Sequence, residues 1–313
     1  MIGQVMLTLF AIVVVGYIAG KLGYMGGTFD KRLSKVVIDI TCPALILSSA
    51  MTGELPDRQY ILPLLAISVI TYLVLTGVAL LVPHFLTKKK EDEGVIGFAL
   101  MFGNVGFMGY PIVASIFGHE AVFYAAVLNV VNTFAVFTVG TMLIVGKNRE
   151  PSAAEKEKSQ KKMLRKVLYS TPMLSAYLTM LIVALEIKDI PEFISQPLTM
   201  IGNITVPAAL LIIGSSMSQL TLRSLLGNRA VYATTLMRLA VLPVGIHFLF
   251  LALGWFSPFV VGINTVVITM PVATYGTILC LRHGKDTTLI TEVTFITTLL
   301  SMISIPLLVT FLL

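Results

Sequence analysis

Ten long apolar runs constrain the fold of this 313-residue chain more than any single motif does. Each run is close to the roughly 20 residues that a helix needs to cross the hydrocarbon core of a bilayer. Hydrophobic residues make up 56% of the sequence and charged residues only 12%, which is too little charge for the surface of a soluble domain. The sequence therefore predicts an all-α membrane protein with ten spans, at 3–20, 33–52, 61–83, 94–117, 120–146, 167–186, 197–219, 229–253, 257–281 and 287–312.

The basic residues are distributed unevenly between the two sides of these predicted spans. Nineteen of the 22 Lys and Arg residues lie in every second loop. Loops rich in Lys and Arg face the cytoplasm, which predicts a multi-pass plasma-membrane protein with both termini outside. The net charge of +6 then reflects topology rather than a nucleic-acid partner, and no basic segment precedes the first run as it would in a signal peptide. The predicted cytoplasmic loops are 21–35, 84–93, 147–166, 220–229 and 282–286.

Two short patterns recur in the two halves of the chain. Asn104 and Pro111 are repeated 160 residues later as Asn264 and Pro271, and the pattern Ile-Thr-x-Pro-Ala at 40–44 recurs at 204–208. The polar stretch 147–166 is interpreted as a cytoplasmic linker between the halves, with binding to anionic lipid or regulation as the alternative. The halves 1–146 and 167–313 hold five spans each. An odd number of spans inserts the second half upside down, so the sequence predicts inverted repeats.

The repeated prolines predict two broken helices. A proline inside a helix removes a backbone donor and clashes with an earlier carbonyl, and in lipid the freed groups need protein or a water-filled cavity. Broken helices at matching positions in two halves are typical of the binding site of a secondary transporter. We therefore predict non-helical backbone near 104–111 and 264–271, crossing at the membrane centre.

The residue types at this predicted crossing suit a small organic anion. Free N–H groups at the start of each second half-helix carry partial positive charge, and asparagine amides are neutral donors. Glycines such as Gly109 either let backbone approach the substrate or serve close helix packing. The predicted substrate-binding residues are Asn104, Asn132, Asn264, Gly109, Pro111 and Pro271.

Three ionisable residues lie inside predicted spans, namely Asp39, Arg238 and Glu292. Such residues are expensive in a membrane and need partners. We expect Arg238 to pair with Glu292, either to lock two spans together or to couple transport to protons. Direct contact of Arg238 with substrate is a third alternative.

The sequence contains no catalytic or cofactor-binding motif, and its four histidines and two cysteines are too scattered for a metal site. We therefore predict a transporter without a cofactor or bound metal, and not an enzyme. A channel or a receptor is a weaker alternative.

Segments 104–118, 206–218, 238–243 and 270–308 together resemble the auxin efflux carrier family, and the resemblance runs nearly end to end. It implies a scaffold of spans 1, 2, 6 and 7, and a transport domain of spans 3–5 and 8–10 that moves in an elevator mechanism. It also implies that spans 4 and 9 cross at Pro111 and Pro271, that Asn104 and Asn132 bind substrate, and that the protein is a homodimer.

The substrate, the direction of transport and the coupling remain open at this point. Malonate, malate and auxin-like acids all fit, with proton coupling, sodium coupling or uniport. The bile-acid/sodium symporter family is a more distant resemblance, and it implies a sodium-coupled organic-anion symporter as the alternative function.

Overall fold

The computed structural model describes residues 2–51, 55–146, 165, 168–187, 190–218, 229–283 and 285–313, which are helical almost throughout. No described residue belongs to a β-strand; Gly103 and Val272 form an isolated antiparallel bridge. The predicted linker 147–166 lies outside the described residues except for Arg165. The helices are labelled α1 (Ile2–Lys21), α2 (27–48), α3 (Arg58–Leu86), α4 (Lys90–Met101), α5 (Val105–Phe117), α6 (Ala121–Val145), α7 (Thr171–Ala184), α8 (Glu192–Ser218), α9 (Arg229–Leu253), α10 (Pro258–Ile268), α11 (Tyr275–Arg282) and α12 (Thr288–Leu312).

Five of the described helices are long and apolar enough to cross a membrane by length and composition, namely α3, α6, α8, α9 and α12. Shorter apolar helices accompany them, among them α5, α7 and α10. Large apolar side chains point outward, for example Leu62, Leu73 and Phe311, each more than two-thirds exposed in the isolated chain. Such faces are stable against lipid, and the fold is that of a multi-pass, all-helical membrane protein.

Most prolines of the apolar helices do not interrupt them. Among the described helices, three of the four π turns end two residues before a proline. A π turn is wider than an α turn, so it carries the earlier carbonyl away from the proline ring that would otherwise clash with it. The three pairs are Val37–Thr41 with Pro43, Val105–Gly109 with Pro111, and Met237–Val241 with Pro243.

The non-helical segments overlap the predicted positions only in part. Helical structure stops after Met101 and resumes at Val105, and it stops again after Ile268 and resumes at Tyr275. The prediction of non-helical backbone over 104–111 is wrong, because Pro111 is accommodated by its π turn. The prediction for 264–271 is wrong for its first half, since α10 continues to Ile268. The interruptions are therefore 102–104 and 269–274.

Helices α1, α2, α7 and α8 pack against one another, and the contact of α1 with α8 is the most extensive among the described helices. Small residues bring these two helices close together. A Cβ atom on Gly214 of α8 would collide with the carbonyl oxygen of Val13, and one on Gly16 would collide with that of Leu211. Close approach of this kind is how membrane helices gain van der Waals contact in the absence of a hydrophobic driving force.

The other helices form a second packed group, in which α3 contacts α4, α6 and α10, and α9 contacts α10 and α12. The two groups touch where α2 and α7 contact the first half of α6, and also where α1 contacts α5 and α12 and α8 contacts α5. Residues 41–46 and 121–128 are all buried at the first of these contacts. Most of residues 27–40, at the opposite end of α2, are exposed, and the second half of α6 also has exposed residues.

We predict that Gly214→Ala lowers the melting temperature of the purified protein, because the new methyl group would enter the backbone of α1. Overpacking of this kind typically costs about 1–3 kcal/mol. The matched control is Gly245→Ala in α9, where an added Cβ has no atom within 4 Å. That change should leave the melting temperature unchanged or raise it, since alanine favours helix. Equal melting temperatures for the two variants would contradict the close packing of α1 on α8.

Candidate substrate site at the two helix interruptions

The two interruptions pair with each other through their backbones. The N–H of Asn104 donates to the carbonyl of Pro271 at 2.8 Å, and the N–H of Ala273 donates to the carbonyl of Phe102 at 3.0 Å. The N–H of Val272 donates to the side-chain oxygen of Thr297 in α12 at 3.2 Å. Unpaired backbone groups are costly inside a membrane, and here each segment satisfies groups that the other leaves free.

Arg238 joins both interruptions from α9. Its side chain is 1% exposed and lies in the π turn Met237–Val241. Nε and Nη2 both donate to the carbonyl of Met270, at 3.1 and 2.9 Å, and Nη1 donates to the carbonyl of Leu100 at 3.1 Å. These carbonyls lie at the C-terminal ends of α10 and α4. Carbonyls there lack helical partners and carry partial negative charge, so a cation is well placed among them.

The direct ion pair predicted between Arg238 and Glu292 is not formed. The described ion pairs are Arg58 with Glu186 and His84 with Glu93. Carbonyls from two interrupted helices take up the guanidinium donors instead, so the charge needs no carboxylate. Glu292 is half-buried near the start of α12, and Asp39 is exposed on α2. No ion pair among the described residues joins either acid to the interruptions.

Asn104 places a polar side chain directly at the first interruption. Its Oδ1 accepts a hydrogen bond from the N–H of Phe107 at 3.4 Å, which caps the start of α5. The side chain is half-buried. Within the described part of the chain its amide nitrogen has no hydrogen-bond partner. Asn104 therefore presents a free N–H₂ group beside the N-terminal end of a helix.

A chain of side-chain hydrogen bonds runs from α3 through α6 to α5. The hydroxyl of Tyr72 donates to Oδ1 of Asn132 at 2.7 Å, and Nδ2 of Asn132 donates to Oδ1 of Asn129 at 2.8 Å. Nδ2 of Asn129 then donates to the hydroxyl of Tyr110 at 2.8 Å. Tyr110 precedes Pro111, so the chain links Asn132 to the helix that begins at the first interruption. Most of the polar atoms in this chain are occupied by one another.

Asn264 does not occupy the position that the sequence repeat assigns to it. It lies within α10, is 3% exposed, and donates through Nδ2 to the hydroxyl of Thr71 at 3.1 Å. It joins α10 to α3, whereas Asn104 caps a helix at an interruption. Gly109 and Pro111 are buried within α5, and Pro271 contributes its carbonyl to Asn104.

Sequence reasoning missed several residues of this region: Tyr72, Asn129 and Thr297. All three are polar residues in apolar runs, and the spacing of Asn129 and Asn132 by three residues places both on one helix face. Gly103 has a steric role, because a Cβ atom there would collide with Nη2 of Arg238.

We predict that Gly103→Ala lowers the melting temperature and abolishes transport. The new methyl group would displace the guanidinium of Arg238 and would also lie 3.2 Å from the Cβ of Met270. Gly106→Ala is the matched control three residues away, since an added Cβ there has no atom within 4 Å. Thermal unfolding and uptake into proteoliposomes would be measured for both. Wild-type behaviour of the Gly103 variant would show that the guanidinium does not need this space.

Comparisons with known proteins show the family of this chain. Residues 1–309 match the family described as membrane transport protein. The chain is 27% identical over 228 residues to an uncharacterized transporter of Methanocaldococcus jannaschii, covering 70% of each protein. It is 25% identical over 316 residues to an uncharacterized transporter of Methanothermobacter thermautotrophicus, covering 97% of this chain and 96% of the relative. The chain therefore belongs to the membrane transport protein family, the auxin efflux carrier family, which is a family of transporters and not of enzymes.

Proposed function

We propose that this protein is a secondary transporter of small organic anions, which it binds at the paired interruptions and carries by an elevator mechanism. The observation that supports this most directly is the free amide of Asn104. This amide lies at the N-terminal end of α5, in a region that also holds the buried Arg238. Among the described residues, no carboxylate is a hydrogen-bond partner of that arginine.

The electrostatics of the region favour a negative ligand. The helix that starts at Val105 directs its first N–H groups toward the interruption, and α11 starts at Tyr275 on the other side of the paired segments. Such ends carry roughly half a positive charge each. Arg238 adds a full charge behind them. A carboxylate can therefore be stabilised at the interruptions without a lysine side chain.

The neutral amides and hydroxyls near Asn132 fit a substrate that must be released after binding. Asn129 and Asn132 hold each other in place, so their chain positions α5 relative to α6. We propose mono- and dicarboxylates as the substrate class, with malonate, malate and auxin-like acids as candidates. Asp39 and Glu292 remain candidates for proton coupling.

The helix contacts support two inverted repeats of five spans, in which α4 with α5 and α10 with α11 each make one broken span. If α1–α6 corresponds to α7–α12 in this way, contacts of one half recur in the other. The contact of α1 with α8 corresponds to that of α7 with α2, α3 with α6 to α9 with α12, and α6 with α10 to α12 with α4. We propose the division at 147–166, with both termini outside and that linker in the cytoplasm.

We further propose that α1, α2, α7 and α8 form the scaffold and that the other helices form the moving transport domain. A hydrogen bond of Ser48 and the Arg58–Glu186 ion pair cross the boundary between the two groups. Oγ of Ser48, at the end of α2, lies 2.9 Å from Nε2 of His119, between α5 and α6. Burial lowers the pKa of His119, so the ring is neutral at pH 7. Elevator movement would have to break this contact. A homodimer through the scaffold is also proposed.

We predict that Asn104→Ala weakens anion binding about 10- to 150-fold, because one hydrogen bond to a charged ligand is worth roughly 1.5–3 kcal/mol. Its melting temperature should fall only slightly, because the lost cap to the N–H of Phe107 is a long hydrogen bond and the side chain contributes little packing. The probe would be whichever of malonate, malate and indole-3-acetate stabilises the wild type most against thermal unfolding.

Asn264→Ala is the control for this experiment. It breaks the buried bond to Thr71 and should lower the melting temperature while the folded protein keeps its affinity. Wild-type affinity of the Asn104 variant would show that the anion binds elsewhere.

We predict that Cd²⁺ inhibits the Ser48→Cys variant and that a chelator restores its transport. The new thiol would lie beside His119, and thiolate and imidazole are suitable ligands for a soft divalent cation. A Cd²⁺ bridge would hold α2 against the loop between α5 and α6. The wild type, with its buried Cys42 and Cys280, controls for the native thiols. The double variant Ser48→Cys, His119→Ala should lose the inhibition. Full transport with Cd²⁺ bound would refute movement at this boundary.

A further inference from the structure

Arg238 lies among carbonyls of the kind that coordinate a cation in transporters with broken helices. In such proteins unwound carbonyls and the C-terminal ends of half-helices coordinate the cation, while N-terminal ends face the anionic substrate. Here the carbonyls of Met270 and Leu100, at the ends of α10 and α4, accept three hydrogen bonds from one guanidinium.

We propose that the guanidinium of Arg238 is a built-in cation that substitutes for a diffusible one, so that the paired interruptions form and operate without sodium. This inference rests on the proposed function as a secondary transporter and specifies its coupling. It assigns Arg238 as a positioning residue, which acts through the carbonyls and not by contact with the substrate.

The surroundings of Arg238 are shaped for this role. Gly103 leaves the space that Nη2 fills, because a Cβ atom there would collide with it. Met270 accepts two N–H donors, so both lone pairs of its carbonyl are engaged. A sodium ion on the same oxygen would lie within contact distance of a like charge. Among the described residues no carboxylate forms an ion pair with Arg238, so carbonyl dipoles stabilise its charge without neutralising it.

The fork shape of the side chain also matters. A guanidinium presents several N–H donors in fixed directions, and here these reach carbonyls of two helices that are far apart in sequence. A lysine at this position would keep the charge but could not match the two carbonyls with the same geometry. Charge and shape can therefore be tested separately.

The test measures thermal unfolding of purified wild type, Arg238→Ala and Arg238→Lys in low-millimolar choline, sodium or guanidinium chloride at constant ionic strength. The wild type should melt at the same temperature in all three salts. Arg238→Ala should melt lower in choline and recover at least half of the loss in guanidinium. Arg238→Lys should melt between the two and should not respond to guanidinium, because its ammonium already fills the site. A sodium-dependent wild type, or an alanine variant that guanidinium does not stabilise, would overturn the proposal.

If the alanine variant does not fold, Arg238→Lys is compared with Arg238→Met, which has similar bulk and no charge. The lysine variant should melt at the higher temperature, and the reverse order or equality would overturn the proposal. These readouts require no substrate. Guanidinium rescue in a protein that fails to bind any carboxylate would therefore refute the proposed function and leave the built-in cation standing.

Discussion

The structure depends on satisfying the backbone groups that two interrupted helices expose inside an apolar protein. Segments 102–104 and 269–274 meet this demand by bonding to each other, and Arg238 and Thr297 take up further groups. Each segment alone would leave polar groups unpaired in a medium that offers no water. The interruptions are consequently interdependent, and the helices that carry them must stay packed together.

The same arrangement separates the charges of the region. Carbonyl ends of α4 and α10 surround a cation that belongs to the chain, and the amide of Asn104 remains open at the start of α5. Carbonyl dipoles stabilise the guanidinium without neutralising it, and among the described residues no acid forms an ion pair with it. A mobile anion is then the charge that completes the region, which is the physical basis for proposing carboxylates.

The sequence was informative where a signal is local. Apolar length predicted a multi-pass helical protein, and an asparagine ahead of a proline indicated the neighbourhood of the first interruption. The prediction that Pro111 breaks its helix was wrong, because a π turn accommodates this proline and the first interruption lies around Gly103. Asn264 was predicted at the second interruption but lies within α10. A match in sequence spacing does not determine whether a residue lies in a helix or at its end. The partners of Arg238 could not be predicted, since Leu100 is 138 residues away and depends on packing of the whole group.

The proposed function requires a small carboxylate to bind where the interruptions meet. A crystal structure of the protein soaked with 2-bromobenzoate, an unreactive aryl bromide, with anomalous scattering measured at the bromine edge, tests this directly. One bromine peak is expected near the amide nitrogen of Asn104 and the first N–H groups of α5. The peak should be lost in Asn104→Ala crystals that are otherwise unchanged. A bromine peak elsewhere in the chain, undisturbed by that substitution, would contradict binding at the interruptions.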